Sequence, residues 1–152
     1  MSFEEFETFF ERGGKWGISL IKPPKLPQTS TESDTIAAIL DMYEIDQKEI
    51  AKQAAVAHLS NNPSSYAAMV LVANIYLKED DYRSAAFMYN EILKIMPDEP
   101  SVLNNLATSL LKQKKYDEAK KYALKAVKIG GKFVQNYQNT LSEIEKAIKE
   151  QK

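Results

Sequence analysis

Side chains able to do chemistry are sparse in this sequence. His58 is the only histidine and cysteine is absent, so the chain offers neither a histidine pair for a metal nor a thiolate nucleophile. His58 falls on the inward side of a predicted helix, where a histidine is more often packed than functional. Asp80 and Asp81 occupy a predicted turn, in which aspartate bonds to nearby backbone groups. Gly13–Gly14 and Gly130–Gly131 lack the lysine and hydroxyl context of a phosphate-binding loop. We therefore predict no catalytic residue, no metal site and no cofactor.

Composition excludes further classes of function. The 152 residues carry a formal net charge of −1, so no global positive field attracts nucleic acid. No apolar run approaches the roughly 20 residues that a membrane-spanning helix needs. The first residues are acidic rather than basic, unlike a signal peptide. We expect a protein without membrane insertion, cytoplasmic as the sequence stands and periplasmic or exported if it is a fragment of a larger protein.

The dominant pattern is an internal repeat with a period of 34 residues. The segment 66–97 is echoed by the segment 100–131, with Tyr82 aligned to Tyr116, and each of these tyrosines is followed three residues later by alanine (116 − 82 = 34). Both segments show helical spacing of apolar residues on either side of a polar turn. Such a period predicts helix–turn–helix units that stack on one another.

Around the two clear copies, the pattern divides the chain into further segments. Pro63 lies 34 residues before Pro97 (97 − 63 = 34), which places a weaker helical pair in register with the repeats. We expect the first of these helices to begin near Thr35, with Ser33 or Asp34 as its cap. The predicted organisation is an N-terminal arm (1–27), a linker (28–34), a degenerate repeat (35–63), two good repeats (66–99 and 100–131) and a capping helix (132–152).

Apolar spacing also predicts which residues face inward in the outer helices. The first helix is expected to bury Ile36, Ile39, Leu40 and Tyr43. The second helix is expected to bury Ile50, Ala54, Ala57 and His58. The capping helix is expected to bury Phe133, Tyr137, Leu141, Ile144 and Ile148. The arm carries a short helix with Phe3, Phe6 and Phe10 on one side, then a strand-like stretch around Trp16 that has no partner strand.

Residues 66–131 resemble the tetratricopeptide repeat family. Small residues stand at Ala73, Ala85, Ala107 and Ala119, where the family's paired helices approach most closely. The resemblance implies an all-α helix–turn–helix solenoid with a capping helix, and a groove lined by the first helix of each pair. By that resemblance the groove residues are Val70, Leu71, Asn74, Leu77, Lys78, Ser101, Asn104, Asn105, Thr108, Leu111 and Lys112.

Within this set, Asn74 and Asn105 match asparagines with which family members hold the backbone of a bound peptide. An amide both donates and accepts, which suits that task. The basic residues of the family's carboxylate-gripping members are replaced by Val70 and Ser101, so a carboxylate clamp is not expected. We expect a non-catalytic module that binds a protein or peptide partner. Replacing both asparagines by alanine is expected to weaken binding without lowering the melting temperature.

The N-terminal arm resembles a different family. Ser2, Phe3 and Phe6, the following glycine turn and the Trp16 segment are similar to the tail of the peptidase domain in bacterial papain-like cysteine peptidases of the bacteriocin-processing type. None of that group's catalytic residues falls in the matching stretch. Three alternatives follow: a C-terminal module of a larger exported peptidase-like protein, a secretion chaperone of the tetratricopeptide type, and self-association through the arm.

Overall fold

The described part of the chain is built entirely of α-helices. The computed structural model describes residues 31–151, and the predicted all-α class is confirmed. The arm at 1–27, with its predicted helix, strand-like stretch and peptidase resemblance, lies outside the described residues. The helices in residues 31–151 are α1 (Glu32–Glu44), α2 (Lys48–Asn61), α3 (Tyr66–Lys78), α4 (Tyr82–Ile95), α5 (Pro100–Lys112), α6 (Tyr116–Ile129) and α7 (Val134–Glu150).

The described residues divide into two compact units, one ending at Leu71 and the other beginning at Val72, and this boundary falls within α3. In the first unit, α1 begins three residues before the predicted start at Thr35. The cap is Thr31, and the prediction of Ser33 or Asp34 as the cap was wrong. Thr31 Oγ1 accepts from the Asp34 N–H at 3.3 Å, and Asp34 Oδ2 accepts from the Thr31 N–H at 2.9 Å. Each residue thus satisfies a backbone donor of the other, which is a capping box.

Packing in the first unit joins α1 to α2. The buried side chains of α1 include Ile39 and Tyr43 as predicted, but Leu40 is 43% exposed and that prediction was wrong. Leu40 follows Ile39 by about 100° around the helix, on the side away from Ala38, and lies beyond the buried stripe formed by Ala38, Ile39, Met42 and Tyr43. On α2 the buried side chains are Ala51, Ala54 and Ala55, whereas the predicted Ile50, Ala57 and His58 are half-buried.

His58 is held by local contacts rather than placed in a reactive cluster. The Asn62 amide lies 3.3 Å from His58 Nδ1, and His58 Nε2 lies 3.7 Å from the Glu32 carboxylate. The same carboxylate accepts a hydrogen bond from the Ser65 hydroxyl. These contacts join α1, α2 and the start of α3 inside the first unit.

Three helical hairpins close with the same backbone turn. Asp46, Asp80 and Lys114 have positive φ values of 68°, 60° and 62°, and they are spaced by the repeat period (80 − 46 = 34 and 114 − 80 = 34). In each turn the next N–H donates to the carbonyl five residues earlier, at 3.0, 2.9 and 2.9 Å. A left-handed residue with this hydrogen bond is the usual way to end a helix sharply. The chain therefore reverses direction in the same way after α1, α3 and α5.

In the second unit, close approach of helices depends on small residues. The alanines at the repeat positions are fully buried: Ala73, Ala85, Ala107 and Ala119. Leu103, Ala126 and Tyr137 form a buried cluster that joins α5, α6 and α7. Tyr137 and Ile144 of α7 are buried as predicted, but Phe133 is 50% exposed because it precedes the helix as its N-cap, so that prediction was wrong.

Candidate protein-binding face

The predicted groove residues of α5 lie along one face of that helix. They follow a spacing of three and four residues, which places them in one stripe. The α3 residues of the second unit, Asn74, Leu77 and Lys78, share the same spacing. On α5, Lys112 is exposed, and the half-buried members are Ser101, Asn104, Asn105, Thr108 and Leu111. We call the polar part of these two stripes the amide face, comprising Asn74, Ser101, Asn104, Asn105 and Thr108.

Two predicted groove residues belong to the first unit. Val70 is half-buried there, but Leu71 is only 4% exposed. A side chain buried to that degree has no surface to offer a partner. The prediction of Leu71 as a groove residue was therefore wrong, and its side chain belongs to the core.

A buried tyrosine joins the two asparagines of the amide face. The Tyr89 hydroxyl, on α4, donates to Asn74 Oδ1 at 2.6 Å. Asn105 Nδ2 donates to the same oxygen at 3.4 Å. The Tyr89 ring is fully buried. The structure thus brings Asn74 and Asn105 together, and it anchors both to the core of the unit.

The Tyr89 phenol is protonated at physiological pH, as any tyrosine is, and its buried environment extends that range to higher pH. Burial raises the pKa of the Tyr89 phenol well above its ordinary value of 10.0, and hydrogen bonding to Asn105 offsets only part of that shift. The hydroxyl proton is therefore present across the physiological pH range. With Asn74 Oδ1 held as an acceptor, the orientation of the Asn74 amide group is fixed.

The fixed orientation leaves complementary groups available on the two asparagines. Within residues 31–151, no hydrogen bond engages Asn74 Nδ2 or Asn105 Oδ1, and neither atom is buried without a partner. One is a donor and the other an acceptor. A peptide group also carries one donor and one acceptor, so the pair is suited to bind main chain.

The two hydroxyl side chains of the amide face, Ser101 and Thr108, are already engaged. Ser101 Oγ lies 3.1 Å from the Tyr137 hydroxyl, and Thr108 Oγ1 donates to the Asn104 carbonyl at 3.1 Å. Asn104 Oδ1 is buried and has no hydrogen-bond partner within the described chain. These residues therefore shape the face, while Asn74 and Asn105 present its free polar groups.

Tyr89 belongs to this site but is not among the groove residues predicted from the sequence. A buried tyrosine in place of phenylalanine indicates a hydroxyl with a hydrogen-bond partner, and this is the signal that could have identified it. On α7, the repeat offset places Gln138 and Asn139 at the positions equivalent to Asn104 and Asn105 (104 + 34 = 138 and 105 + 34 = 139). Both α7 residues are exposed. Continuing the period past residue 131 would have identified them.

The described residues contain neither a metal-binding cluster nor a membrane-spanning helix. Within residues 31–151, no group of three or more histidine, cysteine, aspartate or glutamate side chains is arranged to hold a metal ion. None of the helices in this range is long and apolar enough to cross a bilayer.

A family profile and a solved structure both match this chain. The family profile described as tetratricopeptide repeat matches residues 76–144. Among solved structures, the chain is similar to MamA MSR-1 C2 with a TM-score of 0.63 at 8% sequence identity, covering 98% of this chain and 95% of that chain. No curated protein matches the sequence. The fold is thus the tetratricopeptide helix–turn–helix fold, and residues 76–144 carry the sequence pattern of that repeat.

Proposed function

We propose that this protein is a non-catalytic interaction module that binds an extended peptide segment of a protein partner on the amide face. Tetratricopeptide folds generally serve protein–protein interaction. The observation that supports the more specific role is the fixed pair of free groups, Asn74 Nδ2 and Asn105 Oδ1. A partner carbonyl accepts from Asn74, and a partner N–H donates to Asn105.

Specificity for the partner's side chains comes from the neighbouring apolar residues. Leu77 and Leu111 are half-buried; Leu77 lies one turn beyond Asn74 on α3, and Leu111 lies one turn beyond Thr108 on α5. Each retains apolar surface that a partner side chain removes from water on binding. Lys78 and Lys112, which are exposed, place positive charge at the end of the stripe next to these leucines. The proposed ligand is therefore an extended segment with an apolar side chain and no need for a terminal carboxylate.

A peptide-display selection on the full chain tests this proposal. Enriched peptides would be synthesised and titrated against the wild-type protein and Asn105→Ala by fluorescence anisotropy. Loss of one well-placed hydrogen bond is expected to weaken binding about tenfold, because the buried peptide N–H is left unsatisfied. Asn90→Ala is the matched control, since Asn90 is an exposed asparagine on α4. Equal affinities for wild type and Asn105→Ala would contradict the proposed mode of binding.

A further inference from the structure

A second surface of the molecule combines unbalanced positive charge with exposed apolar side chains. Residues 119–134 contain five lysines and no aspartate or glutamate, although the chain as a whole has a formal net charge of −1. This stretch covers most of α6 and the start of α7. The excess of positive charge is therefore local, and the near-neutral net charge of the whole chain does not reveal it.

Two of the five lysines are neutralised within the second unit. Lys125 Nζ lies 3.1 Å from Asp98 and 3.0 Å from the Pro97 carbonyl, and Lys120 Nζ lies 3.4 Å from Glu145. The other three have no ion pair within residues 31–151 and are exposed, namely Lys121, Lys128 and Lys132. Two of them lie near aromatic rings: Lys121 Nζ is 5.8 Å from the centre of the Tyr122 ring, and Lys132 Nζ is 5.4 Å from the centre of the Phe133 ring.

Large apolar side chains are interspersed with these lysines. Leu124, Ile129 and Phe133 are 47%, 42% and 50% exposed. Lys128 in the last turn of α6 has an ordinary explanation, because a cation there favours the helix dipole. That explanation covers neither Lys121, which lies in the first half of α6, nor Lys132, which follows the helix, nor the three exposed apolar residues. We call this surface the basic edge, comprising Lys121, Leu124, Lys128, Ile129, Lys132 and Phe133.

We propose that the basic edge binds residues 2–11 of this chain. That segment, SFEEFETFFE, contains four phenylalanines and four glutamates and no lysine or arginine. Its charge is opposite to that of the basic edge, and its aromatic side chains match the exposed apolar residues. Burying them together removes apolar surface from water while the glutamates meet unpaired lysines.

The length of the intervening chain does not restrict which molecule supplies the segment. Residues 12–30 separate it from the start of the described chain, and 19 residues extend up to about 65 Å. The segment can be supplied by the same chain or by a second copy. Binding to the basic edge does not depend on the amide face, so a negative result for this proposal leaves the proposed peptide-binding function untouched, and the reverse also holds.

The test uses the full chain with its own segment disabled. The receptor carries Phe3→Ser, Phe6→Ser and Phe10→Ser, and the probe is a fluorescein-labelled peptide of residues 2–11. We expect saturable binding by fluorescence anisotropy. Binding should weaken as salt is raised, because the Debye length falls to about 3 Å at 1 M salt and the charges then attract one another less. Adding Lys121→Glu, Lys128→Glu and Lys132→Glu to the receptor is expected to weaken binding at least about tenfold.

Matched variants separate a specific surface from net charge. Lys115→Glu, Lys146→Glu and Lys149→Glu change the formal charge by the same amount at exposed positions elsewhere in the second unit, and they should leave most of the affinity intact. Leu124→Ser with Phe133→Ser tests the apolar part without altering charge. Circular dichroism melting confirms that each receptor is folded.

Three results would overturn the proposal. The first is absence of peptide binding by the disabled receptor. The second is equal loss of affinity in the basic-edge and control charge variants. The third is binding of the receptor to phosphatidylglycerol vesicles through the basic edge without binding of the peptide, which would make this surface a membrane-contact site instead.

Discussion

The hydrogen bond between Tyr89 and Asn74 gives a quantitative prediction about stability. Tyr89→Phe keeps the buried ring and removes only the hydroxyl that donates to Asn74 Oδ1 at 2.6 Å. A hydrogen bond of this kind contributes about 0.5–1.5 kcal/mol to the free energy of unfolding. Asn74→Ala is expected to cost more, about 1–3 kcal/mol, because it leaves the buried hydroxyl without its acceptor.

A double-mutant cycle isolates the interaction. Once Tyr89 is phenylalanine, the only donor to Asn74 Oδ1 within residues 31–151 is the half-buried Asn105 amide at 3.4 Å, a long contact, so Asn74→Ala should then cost less. We expect a coupling free energy of about 1 kcal/mol. Urea unfolding followed by far-ultraviolet circular dichroism measures it, and a change of this size moves the midpoint by about 0.3–1 M.

Additivity would refute this reasoning. If the two substitutions add to within about 0.5 kcal/mol, Tyr89 and Asn74 do not interact in solution as the structure shows. Asn90→Ala combined with Tyr89→Phe is the control pair and should be additive, because Asn90 is exposed on the same helix. The expected coupling also revises an earlier expectation. Loss of Asn74 should lower the melting temperature as well as the affinity for a peptide.

Three further predictions follow from individual residues. The free energy of unfolding should fall above about pH 10 by up to about 1.4 kcal/mol per pH unit, because the unfolded state loses the Tyr89 proton while the raised pKa of Tyr89 retains it in the folded state. Tyr89→Phe should reduce this dependence on pH, as measured by urea unfolding at a series of pH values. Gly130→Ala should lower the free energy of unfolding by about 1–3 kcal/mol, since Gly130 ends α6 with φ of 74° and ψ of −141°. Asp81 caps α4 by accepting from the Ser84 N–H at 3.2 Å, whereas Lys115 at the equivalent position provides no cap. Lys115→Asp should therefore raise the unfolding midpoint, with a gain of about 0.5–2 kcal/mol.

The helices were predictable because their signals are local and repeated. Ala85 and Ala119 mark where only a methyl group fits between paired helices, and both are fully buried. Pro97 follows α4 closely, since its ring cannot continue a helix. Errors arose where one helix face is divided between core and solvent. Leu40 is adjacent to a buried residue in sequence but turned away from it in space, and no apolar pattern distinguishes those positions within a single turn.

The candidate site was predictable only in part. Resemblance to the family indicated Asn74 and Asn105, but sequence patterns record the size and polarity of a side chain and not the direction of its hydrogen bonds. The role of the Tyr89 hydroxyl, which fixes the orientation of the Asn74 amide, therefore required coordinates. Leu71 was misplaced for a related reason, because the resemblance assigns a position to the groove without recording how deeply its side chain is buried.

The turns at Asp46, Asp80 and Lys114 have a consequence for how this chain can change in length. Each leaves its helix with the same backbone conformation, so the path of the chain at any one of them is compatible with the helix that follows any other. Gain or loss of 34 residues between two such points keeps every helix in phase with its hairpin partner. An insertion or deletion of another length within a helix would rotate the apolar residues that follow it away from the partner helix. The turns with left-handed residues are thus positions at which a whole hairpin length can be added or removed without changing the packing phase of the helices.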